Sequence, residues 1–465
     1  MSTKTPKKQL NLFSLVMITV IAVDSLRSIP LSAQYGFSLV FYYLIAAIAF
    51  LIPAALVSAE LASTFPRTGG LYIWIKEAFG DTWANFVIWL QWIYNICWYP
   101  TILAVLAACL IYPFWPELTN NKLYMLVTIQ IVYWLTTWIN LQGIQASALL
   151  SRITAIIGTL IPMFSISILG MLWIQQGNTS YIEFNYESFI PNIHINDNWI
   201  FLSSILYSLV GIEITAYHSQ DVKNPERNFP LALMLSTIII LASIIFSALA
   251  VAIVIPQETL KSSLISGMLE AFRVFFINLD IPVLFPVICI LIALGTLGGV
   301  GAWLIGPSKG LLIAAEDGYL PAFLAKKNKK GAPQNILIVQ GLIFTILSAA
   351  YILMPNVNSA FIILSILTAQ LSLTGYIFMF AAVIKLRKLY PHLHRPFKVP
   401  GGILGLYAIG GFGIMSCLIA IVMSFLPPDG IEFANYLQYE FILITSFAVS
   451  IIIIYRLSKK RYHTN

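Results

Sequence analysis

Charge is what this 465-residue chain has least of: 10% of its residues are Asp, Glu, Lys or Arg, against roughly 25% in soluble domains. That shortage, beside 59% hydrophobic residues, excludes an ordinary soluble enzyme or a solvated binding module. Cysteine is scarce too. Cys97, Cys109, Cys289 and Cys417 stand singly in apolar surroundings without ligand spacing, which reads as small buried hydrophobes rather than metal ligands. The sequence has no nucleotide-binding loop, no nucleophile and base constellation, no cofactor motif and no low-complexity tract. An enzyme is therefore the weakest reading, and no cofactor or metal is expected. His392 and His394 in "YPHLHRPFKVP" have spacing that suits a metal, but a polar loop explains them more simply.

What the chain does have is long apolar runs. They recur from Leu12 to Tyr455, and each is long enough to cross a hydrocarbon core of about 30 Å at about 1.5 Å per residue. Twelve spans are expected, give or take one, at 12–34, 36–60, 83–112, 122–140, 148–175, 198–218, 230–255, 281–315, 334–354, 359–388, 403–426 and 435–456. The fold class is an all-α polytopic membrane protein. The tail with Lys4, Lys7 and Lys8 followed by Leu12 to Val23 formally resembles a signal peptide, but the run leads straight into further spans, so an uncleaved first helix is expected.

An even number of spans puts both termini on one side, and Lys and Arg choose which. Twenty-two of the 26 basic residues fall in the loops that share a side with the tails, three (Lys122, Lys261 and Arg273) fall opposite, and Arg27 lies inside span one. Both termini are expected to be cytoplasmic. This asymmetry accounts for the formal charge of +7, and no nucleic-acid partner is read from it.

Two spans are interrupted in matching places. Span one is apolar from Leu12 to Val23 only, then reads "DSLRSIP" before Gly36. Span six, "WIFLSSILYSLVGIEITAYHS", meets Gly211 in mid-membrane and then carries Glu213. Each opens a block of five spans, which is the sequence pointer to a transporter of inverted repeats with its substrate site at the broken helices. Unwound backbone leaves N–H and C=O groups that hydrocarbon cannot satisfy. Half-helix N-termini attract a carboxylate and unpaired carbonyls attract an ammonium, so a zwitterionic amino acid fits both.

Ionisable residues inside a membrane are functional candidates by default. Asp24 and Arg27 are three apart and share a helical face. They form a structural ion pair, or Arg27 offers its planar fork to a substrate carboxylate while Asp24 holds it or the substrate amine, or Arg27 snorkels away. Glu213 suits a proton-coupled or pH-sensing gate, or a hydrogen-bonded tie between span six and its neighbours. Tyr207, one turn before Gly211, is a lid over the site or a packed core tyrosine. The glycines of "GTLGGVGAW", Gly295 to Trp303, allow close helix packing or a roomy pocket wall. His218 reads as a solvated interfacial histidine. Arg152 reads as a positive-inside residue, or as a residue standing where a cation binds in sodium-driven relatives. The loop "IPQETLKSSLISGMLEAFRVFFINLD" is expected to hold a short amphipathic helix.

Several segments resemble the amino acid-polyamine-organocation (APC) superfamily: "FPRTGGLYIWIKEAFG" after span two, "GIE" with "KNPERNFPLA" after span six, and "GPSKGLLIAAEDGYLPAFLAKKNKKGAP" after span eight. Within it, "GFSLVF", "WLIGPSKG", "FKVPGG" and "SFLPPD" resemble the glutamate/gamma-aminobutyrate antiporter family. The resemblance runs from span one to span twelve. It implies a LeuT-like fold with a five-plus-five inverted repeat, broken helices 1 and 6, and alternating access. The domain expected is a single transmembrane transporter domain over 1–456, with repeats at 12–175 and 198–388, helices eleven and twelve at 403–456, and a cytoplasmic tail at 457–465.

The function implied is exchange of one amino acid for a related one or its decarboxylated product, in a bacterial inner (cytoplasmic) membrane. A proton-coupled symporter and a non-transporting amino acid sensor are the alternatives. Partners are then an amino acid, protons and the lipid bilayer. The resemblance also places the substrate at Val23, Asp24, Ser25, Leu26, Arg27, Tyr207, Gly211, Ile212, Gly299 and Val300, with Glu213 and Tyr207 in gating. Where relatives carry a glycine-serine-glycine break this chain has Asp24 and Ser25, and Gly299 and Val300 replace larger or acidic recognition residues, so those roles do not carry over. The chain stops at Asn465 without the long C-terminal plug of some acid-resistance antiporters, which predicts activity that no such plug shuts off.

Overall fold

A computed structural model describes residues 10–67, 69–142, 154, 156–191, 202–426 and 436–459; the side chains at 202, 218–221, 302, 305 and 436 are not described. The described residues form helices and turns, with one isolated bridge. Eleven of the helices are long and apolar enough to cross a membrane: Leu12–Ala33, Gly36–Thr64, Asp81–Ile111, Lys122–Leu141, Ile156–Gln175, Pro225–Val254, Leu284–Glu316, Gln334–Leu353, Val357–Leu389, Gly402–Met423 and Leu437–Ser458. The chain is a multi-pass, all-α membrane protein. Large apolar side chains such as Ile48, Ile131, Ile238, Ile346 and Phe412 stay more than half exposed, as lipid-facing residues do.

The stretch expected as span six is absent from that set because it is split. It forms a helix at Leu202–Ser208, unwinds, and continues as a tight helix at Ile214–Asp221. Span one is divided as well. Asn11 caps its start, accepting from the Ser14 N–H at 2.9 Å, and Asp24 donates the last helical backbone bond to Val20 at 2.7 Å. Asp24 and Ser25 then adopt extended ψ values of 116°. A tight turn at Leu26–Ser28 and a helix at Ile29–Ala33 follow. Pro30 explains the division: it has no N–H to return to residue 26, yet its fixed φ suits the first turn of a new helix.

Two packing groups surround these breaks. Span seven (Pro225–Val254) lies on span one, span two and span five, while span three (Asp81–Ile111) lies along span eight (Leu284–Glu316) and span ten (Val357–Leu389). Spans five and eight cross closely where Gly158 meets Gly295, since a Cβ on either would overlap the other helix's backbone. At one end of the bundle Leu10 and Val222 form the parallel bridge, and the Lys223 N–H donates to the Leu10 carbonyl at 2.9 Å. The start of the first broken helix is thereby joined to the end of the second.

Short helices complete the connections. The loop between spans seven and eight contains Gln257–Ser262 and Gly267–Asn278, the second burying Met268, Leu269, Phe272, Phe275 and Phe276. A helix that the sequence reading did not identify, Leu71–Phe79, follows Gly69 and Gly70 and packs on spans three and ten.

Candidate functional site

Two small cavities lie where the unwound parts of spans one and six face span three and span eight. Both are lined by Ala22, Ser25, Arg27, Trp98 and Trp303. One adds Val23, Asn95 and Tyr207; the other adds Asp24, Leu26, Thr296 and Gly299. Each has a volume of about 40 Å³, room for a few waters. The rings of Trp98 and Trp303 are tilted 55° to one another with centroids 6.0 Å apart.

Asp24 and Arg27, three residues apart, do not pair with each other. The unwound backbone after Val23 carries them to different helices. Asp24 Oδ2 lies 2.8 Å from Ser243 Oγ of span seven, and Asp24 Oδ1 is buried without a partner. Arg27 Nη1 donates to Ser365 Oγ of span ten at 2.9 Å, and its Nε is buried without a partner. The guanidinium lies over the rings of Tyr207, at 5.0 Å, and Phe361, at 5.7 Å, a cation–π arrangement that holds its plane. Ser25 Oγ is a third buried, unpartnered atom at this break. Such atoms are costly in a native interior unless something else satisfies them.

The span-six break is built around Gly211, whose φ of 121° is open to glycine and strained for other residues. A Cβ there would stand 3.1 Å from the Ala22 carbonyl oxygen and 3.4 Å from Trp303, so the glycine lets the two breaks approach. Its N–H donates to the Tyr376 hydroxyl at 2.8 Å, and that hydroxyl donates to the Glu213 carboxylate. Span ten thus grips both breaks, Arg27 through Ser365 and Phe361 and the Gly211–Glu213 turn through Tyr376.

Of the residues expected at the site, Val23, Asp24, Ser25, Leu26, Arg27, Tyr207 and Gly299 line the cavities. Gly211 adjoins them through Trp303. Ile212 and Val300 are fully buried and line neither cavity. Glu213 lines neither one and is tied to Tyr376. Of the span-eight glycines, Gly295 sits at the close crossing with Gly158, while a Cβ at Gly299 would meet nothing within 4 Å. Arg152 and the side chain of His218 lie outside the description, while His392 and His394 are exposed in their loop. Sequence reasoning missed Trp98, Ser243, Ser365 and Tyr376 as site residues. A single hydroxyl or aromatic ring in an apolar span interrupts no pattern, so only the fold brings them to the breaks.

Comparison with known proteins gives a consistent picture. The family described as "Amino acid permease" matches residues 10–453. An uncharacterized transporter of Legionella pneumophila subsp. pneumophila is 46% identical, covering 98% of this chain and 97% of that protein. A glutamate/gamma-aminobutyrate antiporter of Lactococcus lactis subsp. lactis is 30% identical over 98% of this chain and 92% of its own length. A probable agmatine/putrescine antiporter of the same organism is 28% identical over 98% and 95%.

Proposed function

Because the chain belongs to the amino acid permease family, we propose that it is an amino acid antiporter that works by alternating access, with its substrate held between the unwound segments of spans one and six. The observation that carries this reading is the pair of breaks meeting at cavities lined by Asp24, Ser25 and Arg27, each with a buried polar atom that no protein group satisfies. The half-helix N-termini at the breaks attract the substrate's α-carboxylate. Arg27, held flat by Tyr207 and Phe361, offers its remaining N–H groups to a second carboxylate on the substrate. The antiporter names of two relatives favour exchange over one-way symport.

In this reading the repeats run from 12 to 175 and from 198 to 388, Glu213 and Tyr207 act in gating, and the excess of Lys and Arg puts both termini in the cytoplasm of a bacterium. Glu213 does so by releasing Tyr376, which unlatches the span-six break from span ten.

A thermal-unfolding screen of the purified protein against L-glutamate, gamma-aminobutyrate, agmatine, putrescine and the other amino acids tests the site. A ligand at 100 times its Kd adds about 2.7 kcal/mol to the folded state. If carboxylate-bearing ligands stabilise the wild type and lose that effect in Arg27→Ala, the site reading stands; hits that ignore Arg27→Ala overturn it. Counterflow in proteoliposomes tests exchange: external ligand accelerates efflux of trapped radiolabel from an exchanger. Net uptake driven by a proton gradient without counterflow means a symporter, and saturable binding without flux means a sensor.

A further inference from the structure

The hydrogen inventory around Asp24 does not balance with a bare carboxylate. Ser243 has one hydroxyl hydrogen, yet its Oγ stands 2.8 Å from Asp24 Oδ2, 2.8 Å from the Ile239 carbonyl and 3.0 Å from the Ile240 carbonyl. All three are acceptors when Asp24 is ionised, and one hydrogen serves only one of them well. A proton on Oδ2 resolves the conflict: the acid donates to Ser243 Oγ, and the serine's hydrogen returns to its own helix. Among the described residues Asp24 has no ion-pair partner. Arg27 is engaged by Ser365, Tyr207 and Phe361 and makes no ion pair with Asp24.

The elements packed around Asp24 bring little else that titrates. Span seven carries charge only in its first turn, at Glu226 and Arg227. Span two brings Tyr43, hydrogen-bonded to Ser32 and to Ser208 of span six. Its glutamate, Glu60, is bound by Arg387 and Arg395 elsewhere. Across the cavity spans three, five and eight present Trp98, Thr159, Thr296 and Trp303. Arg27 and Tyr43 are therefore the titratable neighbours of Asp24 among the described residues, and Asp24 shares its cavity with the unwound backbone proposed to hold the substrate.

We infer that Asp24 is an exchange point where a proton and the ammonium group of the substrate displace one another. In the empty site Asp24 is the neutral acid bonded to Ser243. When a substrate amine enters, the O–H bond of Asp24 breaks, the proton leaves to cavity water, and the carboxylate pairs with the ammonium. No other bond changes. This rests on the substrate site proposed above and adds a proton stoichiometry to it.

The test uses the full chain in detergent with L-glutamate and gamma-aminobutyrate as probes. Binding is followed by calorimetry in two buffers of different ionisation enthalpy, over about pH 5 to 8, where neither probe changes its own charge appreciably. The expected result is release of about one proton per bound probe where Asp24 is protonated, with affinity weakening about tenfold per pH unit as pH falls. Asp24→Asn should bind with no proton release and a Kd flat in pH. Ser243→Ala, which removes the acid's partner but keeps the carboxyl, should move the midpoint of the release without abolishing it, a change that misfolding does not produce. Binding to wild type without proton release and with a pH-independent Kd overturns the inference while leaving the substrate site intact. An unchanged pH slope in Asp24→Asn assigns the proton to another group and overturns it too. Failure of both probes to bind removes the substrate reading together with this one.

Discussion

Gly211 and Gly299 carry opposite expectations although both are glycines of the candidate site. Gly211 has a positive φ and a Cβ position 3.1 Å from the Ala22 carbonyl. Gly211→Ala is expected to lower stability by about 1–3 kcal/mol, read as a fall in the thermal midpoint with or without ligand. Gly299 has nothing within 4 Å of its Cβ position and lines a cavity, so Gly299→Ala is expected to leave the ligand-free midpoint in place and reduce the shift that a ligand produces. Asp24, Arg27 and Gly211 were legible in the sequence because a charge or a glycine stands out in an apolar run. The pairing of Asp24 with Arg27, one of the readings that helical spacing allowed, is not what the fold makes. That spacing puts them on one face only while the helix continues, and it stops at Val23.

At the scale of elements, the span bounds that fall on described residues were readable to within a few residues because hydropathy and length are the same physical requirement; the starts expected at 148 and 198 lie outside the described residues. The helix Leu71–Phe79 was not readable. Nine residues preceded by Pro66, Gly69 and Gly70 read as a loop, and its amphipathic face shows only against spans three and ten. The crossing of spans five and eight depends on two missing side chains. Gly295→Ala and Gly158→Ala each push a Cβ into backbone, and overpacking of this kind costs typically 1–3 kcal/mol, occasionally more. Both should lower the thermal midpoint, and the double variant should not restore it.

A second element-level contact gives a pH dependence. Glu270, on the helix Gly267–Asn278, receives Arg273 Nε at 3.0 Å, Arg273 Nη2 at 2.9 Å and the Tyr112 hydroxyl at the end of span three. Burial pushes its carboxyl up, but the Arg273 and Tyr112 hydrogen bonds and the Arg273 charge outweigh that and hold it below the ordinary glutamate value. A depressed carboxyl contributes stability above its unfolded value and loses it as pH falls through the folded one. The gap in thermal midpoint between wild type and Glu270→Gln should therefore be present at neutral pH and close as pH drops below about 4.3. A gap that widens on acidification would contradict this.

At the scale of the whole molecule, buried charge among the described residues and away from the two helix breaks is concentrated in one staple. Glu60 of span two accepts from Arg387 of span ten, whose Nε is at 3.1 Å, from the Val399 N–H at 2.7 Å, and pairs with Arg395 at 3.3 Å. Glu60 and Arg395 are almost wholly buried. Removing one partner of such a set strands the other charges, and Glu60→Ala is expected to cost about 3–5 kcal/mol. Glu60→Gln, which keeps the shape and part of the hydrogen bonding, should cost less. Neither staple nor partner was legible in advance, because residue 60 and residues 387–399 are adjacent only once ten spans have folded.

The bridge between Leu10 and Val222 has a mechanical meaning. Backbone hydrogen bonding ties the start of the first broken helix to the end of the second, so the two are expected to move together rather than as independent flaps. A pair of spin labels flanking that link, one beside Leu10 and one beside Val222, should report a single narrow distance under every ligand condition. The separation of either label from a third one on span eight should be the ruler that changes length.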